Sequence, residues 1–477
     1  MNLPRLLVLL LWLVLLALLF QRDILVQRLE LRESEILSRS RETSFSGVYF
    51  QNQRIGYVKS RLAPTADDLF LLEQEALLRL NILGQIHPIH LQVSARLTPA
   101  SLLRDFHFRM TSPLYRTEAK GRVEGREVIF SLDSGKGVIN DRIILAAAPY
   151  LATNRRAYLL AQEPEVGRKI KIPYFDPLSL AGQDTVVEYR GLDKVVIHGR
   201  IHNLHRFTES FSGVRINSWL DEQGKVIKEE SPAGFVFLAE PEFRATDIPS
   251  AGPEILTAVA VPLSGKMPDD LATRPTMRYR LQLPAEGIFD LAGGRQQWDG
   301  NWLTIRRETI NPQAIPCSGR EAELQATPYI QSDDPAITAL ARQITAGITT
   351  WPDKLAALSA WVYDNLEKRP VLGIPDARTV LANKIGDCNE HAALFAALAR
   401  AVGLPTRIAA GVYFTNNAFY YHAWNEVCLD REWLSVDPTF KQLPADLTHL
   451  RFVVGETKEM VRIGALLNQL QISTQEE

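Results

Sequence analysis

GDCNEHAALFAALARAVGLP, residues 386–405, is the stretch from which the rest of the chain can be read. His391, Ala392, Phe395, Ala399 and Val402 recur at the three-and-four spacing of one helical face. Gly403 and then Pro405 supply the stop. Asp387 stands where an N-cap belongs, which puts Cys388 in the first turn. Free N–H groups and the positive end of the helix dipole favour a thiolate there. The alanines at 392, 393, 396, 397 and 399 suit close packing against a sheet.

Downstream, Thr406 to Phe414 reads as a strand, and Phe419 to Leu429 as a second. Alternation sets Tyr420, His422, Trp424, Glu426 and Cys428 on one face of the second strand. Asp430-Arg431-Glu432 is a tight turn, and Trp433 to Asp437 is a third strand stopped by Pro438. Counting back from the turn, Glu432 pairs near Leu429, and Asp437 falls near His422 or Asn425. A cysteine at a helix start facing such a pair is the arrangement of nucleophilic catalysis. The candidates are Cys388 as nucleophile, His422 as base and acid, and Asp437 as the group that orients His422. The Cys388 backbone N–H is a natural oxyanion donor. Trp424 and Trp433 read as core or cleft walls.

These motifs carry a resemblance. Gly386-Asp-Cys, Ala392 to Leu398, Arg400 to Arg407, His422-Ala-Trp-Asn-Glu-Val427, Trp433 and Asp437-Pro-Thr439 closely resemble the transglutaminase-like superfamily. The likeness extends loosely from about residue 325 to the C-terminus, where Thr448-His-Leu-Arg-Phe and Gly455 look like its bacterial branch. It implies an α+β fold, a papain-like core with the helix packed on an antiparallel sheet, and a catalytic Cys388, His422 and Asp437. The superfamily includes peptidases, amidases, cross-linking acyltransferases and inactive members, so the reaction stays open. Amide cleavage in a protein or peptide substrate is the favoured expectation. Cross-linking, or a binding module that keeps the fold without turnover, is the alternative.

The rest of the chain frames that core. It has 477 residues, 53 Lys+Arg against 55 Asp+Glu, and 46% hydrophobic residues. The balanced charge gives no support to nucleic-acid binding, and the apolar fraction excludes a disordered chain. Leu6 to Phe20 is an unbroken apolar run after Arg5, without a convincing cleavage site, and reads as an uncleaved signal anchor or transmembrane helix, with a cleaved secretory signal or a buried core helix as the alternatives. Arg22, Arg28, Arg32 and Arg39 follow it and pull against export, but Asp23, Glu30, Glu33 and Glu35 are interleaved with them. The expectation is a membrane-anchored protein with an extracytoplasmic body, periplasmic or on the cell surface.

The expected layout is an anchor over 1–22, a juxtamembrane helix or linker over 23–43, a β-rich region over 44–265, a β-rich connector over 266–320 and the catalytic domain over 321–477. Within the β-rich region, Asn52-Gln53-Arg54 reads as a hairpin turn, Leu69 to Leu83 as helix or strand, and Asp141 to Leu160 as helical. No P-loop and no H-E-x-x-H occurs, so no cofactor is expected. No metal is expected either: Cys388-x-x-His391 lacks two further ligands, and His198, His202 and His205 lack a carboxylate or cysteine pattern. Cys317 and Cys428 are expected to be ordinary buried thiols, with a disulfide as the alternative in an exported body.

Overall fold

The computed structural model describes residues 43–474 apart from 135–137, 151–154, 177–180, 212, 250–251, 286, 372 and 374–375. The apolar run over 6–20 and the helix or linker expected over 23–42 lie outside the described residues. Among the described residues no helix is long and apolar enough to cross a membrane.

The chain is mostly β-sheet. Residues 44–240 form one fourteen-stranded antiparallel sheet in two runs. Eight strands, Ser44–Phe50 to Val138–Ile144, pair in sequence order; six more, Lys169–Asp176 to Phe235–Glu240, do the same. The runs join where the first strand pairs with the last, with Phe45 opposite Glu240 and Phe50 opposite Phe235. Alternation drives the pairing, as in Glu127–Asp133, where Val128, Phe130 and Leu132 point into the core. The first hairpin turns at Gln51 and Asn52, both at positive φ, whose twist matches that of the flanking strands.

One open reading is decided and one expectation changes here. Leu69 to Leu83 resolves as the strand Phe70–Ile82, with Phe70, Leu72, Ala76 and Ile82 buried. Asp141 to Leu160 is not one helix. Its first residues belong to the strand Val138–Ile144, where Asp141 sits opposite Phe130, and among the described residues of the span Arg155–Leu160 alone is helical. The ladder with Glu127–Asp133 takes the chain through Ile144, and Leu145 N–H still donates to the Arg126 carbonyl at 2.9 Å, so the helix-favouring alanines at 146–148 follow directly on a strand.

A nine-stranded sheet carries the second half. Its order is Gln296–Trp298, Trp302–Arg306, Thr276–Gln282, Gln471–Thr474, Val261–Ser264, Ala418–Leu429, Thr406–Thr415, Leu450–Val454. Glu432–Val436 pairs with Ala418–Leu429 off that path. The helix Cys388–Ala401 lies on this sheet, with Pro335–Ile344, Trp351–Asn365 and Ala377–Asn383 packed on its other sides. Ala392 through Ala399 are all buried, so the helix is the centre of the core.

Cys317 and Cys428 form a disulfide, which corrects the expectation of two thiols. Cys317 N–H donates to the Cys428 carbonyl at 3.2 Å, and Pro316 bridges to Leu429. The connector therefore runs beside the strand and brings the two sulfurs together, although they are 111 residues apart in sequence.

The two halves touch through specific residues. Tyr115 of the first sheet donates to the Ile385 carbonyl at 3.1 Å, and Thr379 to Ser134 at 3.1 Å. Tyr329 packs into the core of the first sheet. Asn468 donates to the Pro232 carbonyl at 2.9 Å.

Candidate active site

Cys388 opens its helix as expected. The Asp387 carboxylate accepts from Asn389 N–H at 2.9 Å, and Glu390 reaches back to the Asp387 N–H at 2.9 Å, a reciprocal capping box. Glycine is required at 386 because a Cβ there would run into the Glu390 side chain. Cys388 is half-buried and is the free cysteine of the chain.

His422 lies in the strand Ala418–Leu429, opposite Gly411. The third strand pairs Glu432 with Leu429 and Val436 with Asn425, so the ladder ends one residue before Asp437. From there the Asp437 carboxylate reaches back, and its Oδ2 lies 2.7 Å from His422 Nε2. Asp437 is fully buried. Its Oδ1 accepts from Thr439 N–H at 2.8 Å and Phe440 N–H at 3.3 Å. The His422 ring stacks with Phe440 at 5.1 Å and with Trp424 at 6.2 Å between centroids. Trp424 is thus a buried wall of the site.

A third residue joins them. His449 Nε2 lies 3.0 Å from the same Asp437 Oδ2, and its Nδ1 lies 3.0 Å from Asp446 Oδ1. His449 is fully buried. The row His422–Asp437–His449–Asp446 was not legible in sequence. Asp446 and His449 follow a loop after Asp437, and no spacing rule points to them. The only sequence signal was the Thr448-His pair, to which no role could be given.

The charges follow from burial and partners. Burial pushes the Cys388 thiol well above its ordinary range, with Asp387, Glu390 and Asp437 adding to the rise. The backbone N–H of Ala423, the residue after His422, opposes it. The resting sulfur is thus a thiol, and the helix dipole does not prevail over desolvation and three carboxyl groups. Burial also raises Asp437, but His422 and His449 outweigh it and hold the carboxylate well below its usual range. Burial lowers His449, and hydrogen bonds to Asp437 and Asp446 reverse that and raise it. With a carboxylate on each ring nitrogen, both nitrogens must donate, so His449 is an imidazolium. Burial and Asp387 push Glu390 up.

Among the described residues, His422, Asp437 and His449 offer three ligand-type atoms within 4.8 Å of one another. All three are already joined by direct hydrogen bonds, and both His449 nitrogens are committed to carboxylates, so the set is read as a charge relay. His391 Nδ1 lies 2.6 Å from the Asp387 carbonyl. His198 sits in a turn against Glu240 at 3.1 Å, and His205 pairs with Tyr189 at 2.8 Å.

Residues 338–438 match the family model of the transglutaminase-like superfamily. This segment is a transglutaminase-like domain. The matched span of the transglutaminase-like domain contains Cys388, His422 and Asp437 but ends before Asp446 and His449. No curated protein is significantly similar to the chain. Solved structures overlap parts of it. One is described as a candidate cysteine protease from Cytophaga hutchinsonii, with 17% identity, 42% of this chain and 84% of that one covered, and a TM-score of 0.28. Another is a β-barrel-like protein of unknown function from Brucella abortus, with 13% identity, 42% and 96% coverage, and a TM-score of 0.33. A third, described as a candidate protease from Parabacteroides distasonis, has 10% identity, 72% and 67% coverage, and a TM-score of 0.22.

Proposed function

We propose that the transglutaminase-like domain is a cysteine enzyme that opens amide bonds of a protein or peptide through an acyl-enzyme. The carrying observation is the Asp437 carboxylate, fully buried and 2.7 Å from His422 Nε2, in the strand whose Ala423 N–H faces Cys388. Asp437 holds the His422 ring so that Nδ1 is free to take the thiol proton. Cys388 sulfur attacks the carbonyl carbon, and the oxyanion is met by the Cys388 backbone N–H at the helix start. His422 returns the proton to the leaving amine. Water then attacks the thioester, His422 takes its proton, and the acid is released with the thiol restored. Because the resting sulfur is a thiol, proton transfer to His422 must accompany attack.

The body is proposed to lie outside the cytoplasm, tethered by residues 6–20. The Cys317–Cys428 disulfide supports this, since such bonds persist in oxidising compartments. Reporter fusions after Glu477 test it, and activity only from a cytoplasm-specific reporter would overturn it.

The chemical reading is tested with an iodoacetamide-based probe and a peptide-amide library. Cys388 should be the single labelled residue, because the other two cysteines are bonded to each other. His422→Ala should slow turnover by about 10²–10⁴-fold, the usual contribution of a general base. Full amidase activity in a Cys388→Ala chain would refute the proposal.

A further inference from the structure

The fourteen-stranded sheet has two differently furnished ends. At one end its turns carry the catalytic half. Gly213 packs against Gly287 and Ala465, and Pro232 accepts from Asn468. The strand Arg200–Phe211 runs toward that contact and Phe235–Glu240 runs away from it, so Arg200 and Glu240 both lie at the opposite end. At their far ends lie the hairpin turn at His198–Gly199 and the short helix Glu242–Ala245. His198 and Arg244 both approach the same Glu240 oxygen, at 3.1 and 3.8 Å, so the two elements are neighbours.

That far end exposes large apolar side chains. Ile201 is 72% exposed, Val196 66% and Phe243 80%. Val196 and Ile201 are direct cross-strand partners, so they form one patch. Lys194, Arg200 and Arg244 are exposed around it, with Glu242 and Asp247 as nearby exposed acids. The first described strand also begins here, since Phe45 pairs with Glu240. The chain therefore enters the sheet at this end, with only residues 21–43 between it and the apolar run over 6–20.

We propose that the His198 hairpin tip and Phe243 form the membrane-contacting end of the molecule, resting on the headgroup layer of a phospholipid bilayer. The proposal rests on reading residues 6–20 as a membrane anchor. Apolar side chains ringed by basic ones suit the interface between headgroups and acyl chains. A tether entering beside the patch makes the contact intramolecular, so a weak surface affinity suffices. The strand Arg200–Phe211 then acts as a strut. At about 3.3 Å per residue its 12 residues hold the catalytic half roughly 40 Å from the bilayer. Substrates in that orientation are peptides or proteins standing well clear of the lipid surface.

The test uses the full chain in nanodiscs of phosphatidylethanolamine and phosphatidylglycerol. In a Cys388→Ser background, Ile201→Cys and separately Ile288→Cys carry an environment-sensitive fluorophore. Ile288 is also strongly exposed, at 78%, but lies in the catalytic half and serves as the aqueous control. The Ile201 label should shift to the blue and be quenched several-fold more by a lipid-borne quencher than the Ile288 label. A chain that enters the discs while its Ile201 label stays aqueous would overturn the docking surface and leave the anchor standing. A chain that does not enter the discs would overturn both. Protection of the label already in detergent, with a doubled mass, would assign the patch to a second copy and overturn the lipid contact.

Discussion

Replacing His449 by Gln removes a cation from behind Asp437 while keeping a neutral donor in its place. The His422 and His449 ring centroids are 5.7 Å apart. Two imidazolium rings at that distance repel by about 3 kcal/mol at an effective dielectric of about 20, equivalent to ~2 pH units. In His449→Gln that repulsion is gone, so moving the Cys388 proton onto the His422 ring during attack becomes easier. The assay is the rate of Cys388 alkylation by iodoacetamide across pH. Alkylation near neutrality should speed up by about 10–100-fold, after allowance for screening. A profile superimposable on that of the parent, in a variant that remains folded, would refute the charged-relay reasoning. His449→Ala adds a stability check. It leaves Asp437 and Asp446 short of a buried partner and should cost about 3–5 kcal/mol.

The pH dependence of stability follows from the same residue. His449 is raised above its ordinary value of 6.5, so its contribution is fully present below about pH 6.5 and lost as pH rises through its native titration. Chemical denaturation of the parent and His449→Gln at several pH values should therefore differ most on the acid side and converge on the alkaline side. Ala396→Leu should overpack the fully buried Cys388 helix and cost roughly 1–3 kcal/mol, read as a fall in Tm larger than a surface substitution gives. The pair Cys317→Ser and Cys428→Ser opens a loop spanning 111 residues and should destabilise by about 2–5 kcal/mol in urea melts. Glu426→Ala strips the carboxylate that Arg451 meets at 2.6 Å and Arg407 at 2.6 Å, leaving the buried Arg451 uncompensated. Its expected cost is about 3–5 kcal/mol, and a melt unchanged from the parent would show that the ion pairs contribute nothing.

The local signals read correctly were those with short reach. Asp387, Cys388, Gly403 and Pro405 mark the ends of the central helix within twenty residues of each other, because capping is decided by adjacent backbone N–H and carbonyl groups. The turn at Asp430-Arg431 put Glu432 opposite Leu429, as counting from it predicts, while Asp437, expected near His422 or Asn425, falls just past the last pair, Val436 with Asn425. The helix reading of Asp141 to Leu160 failed because strand formation there depends on a partner, Glu127–Asp133, whose ladder the alanines do not reveal.

The sequence by itself determined the local placement of the candidates: a cysteine at a helix start, a histidine in a strand, and an aspartate just past the end of the next strand. Period and punctuation are local properties, so they survive in one dimension. Only the tertiary structure decided what surrounds those residues. It closed the Cys317–Cys428 bond by laying the connector against a strand, and it brought the Tyr115 hydroxyl to the Ile385 carbonyl near the start of the Cys388 helix. It also set His449 between Asp437 and Asp446. Burial and charge proximity are sums over residues distant in sequence, and they made the resting sulfur a thiol where the helix start alone favoured a thiolate.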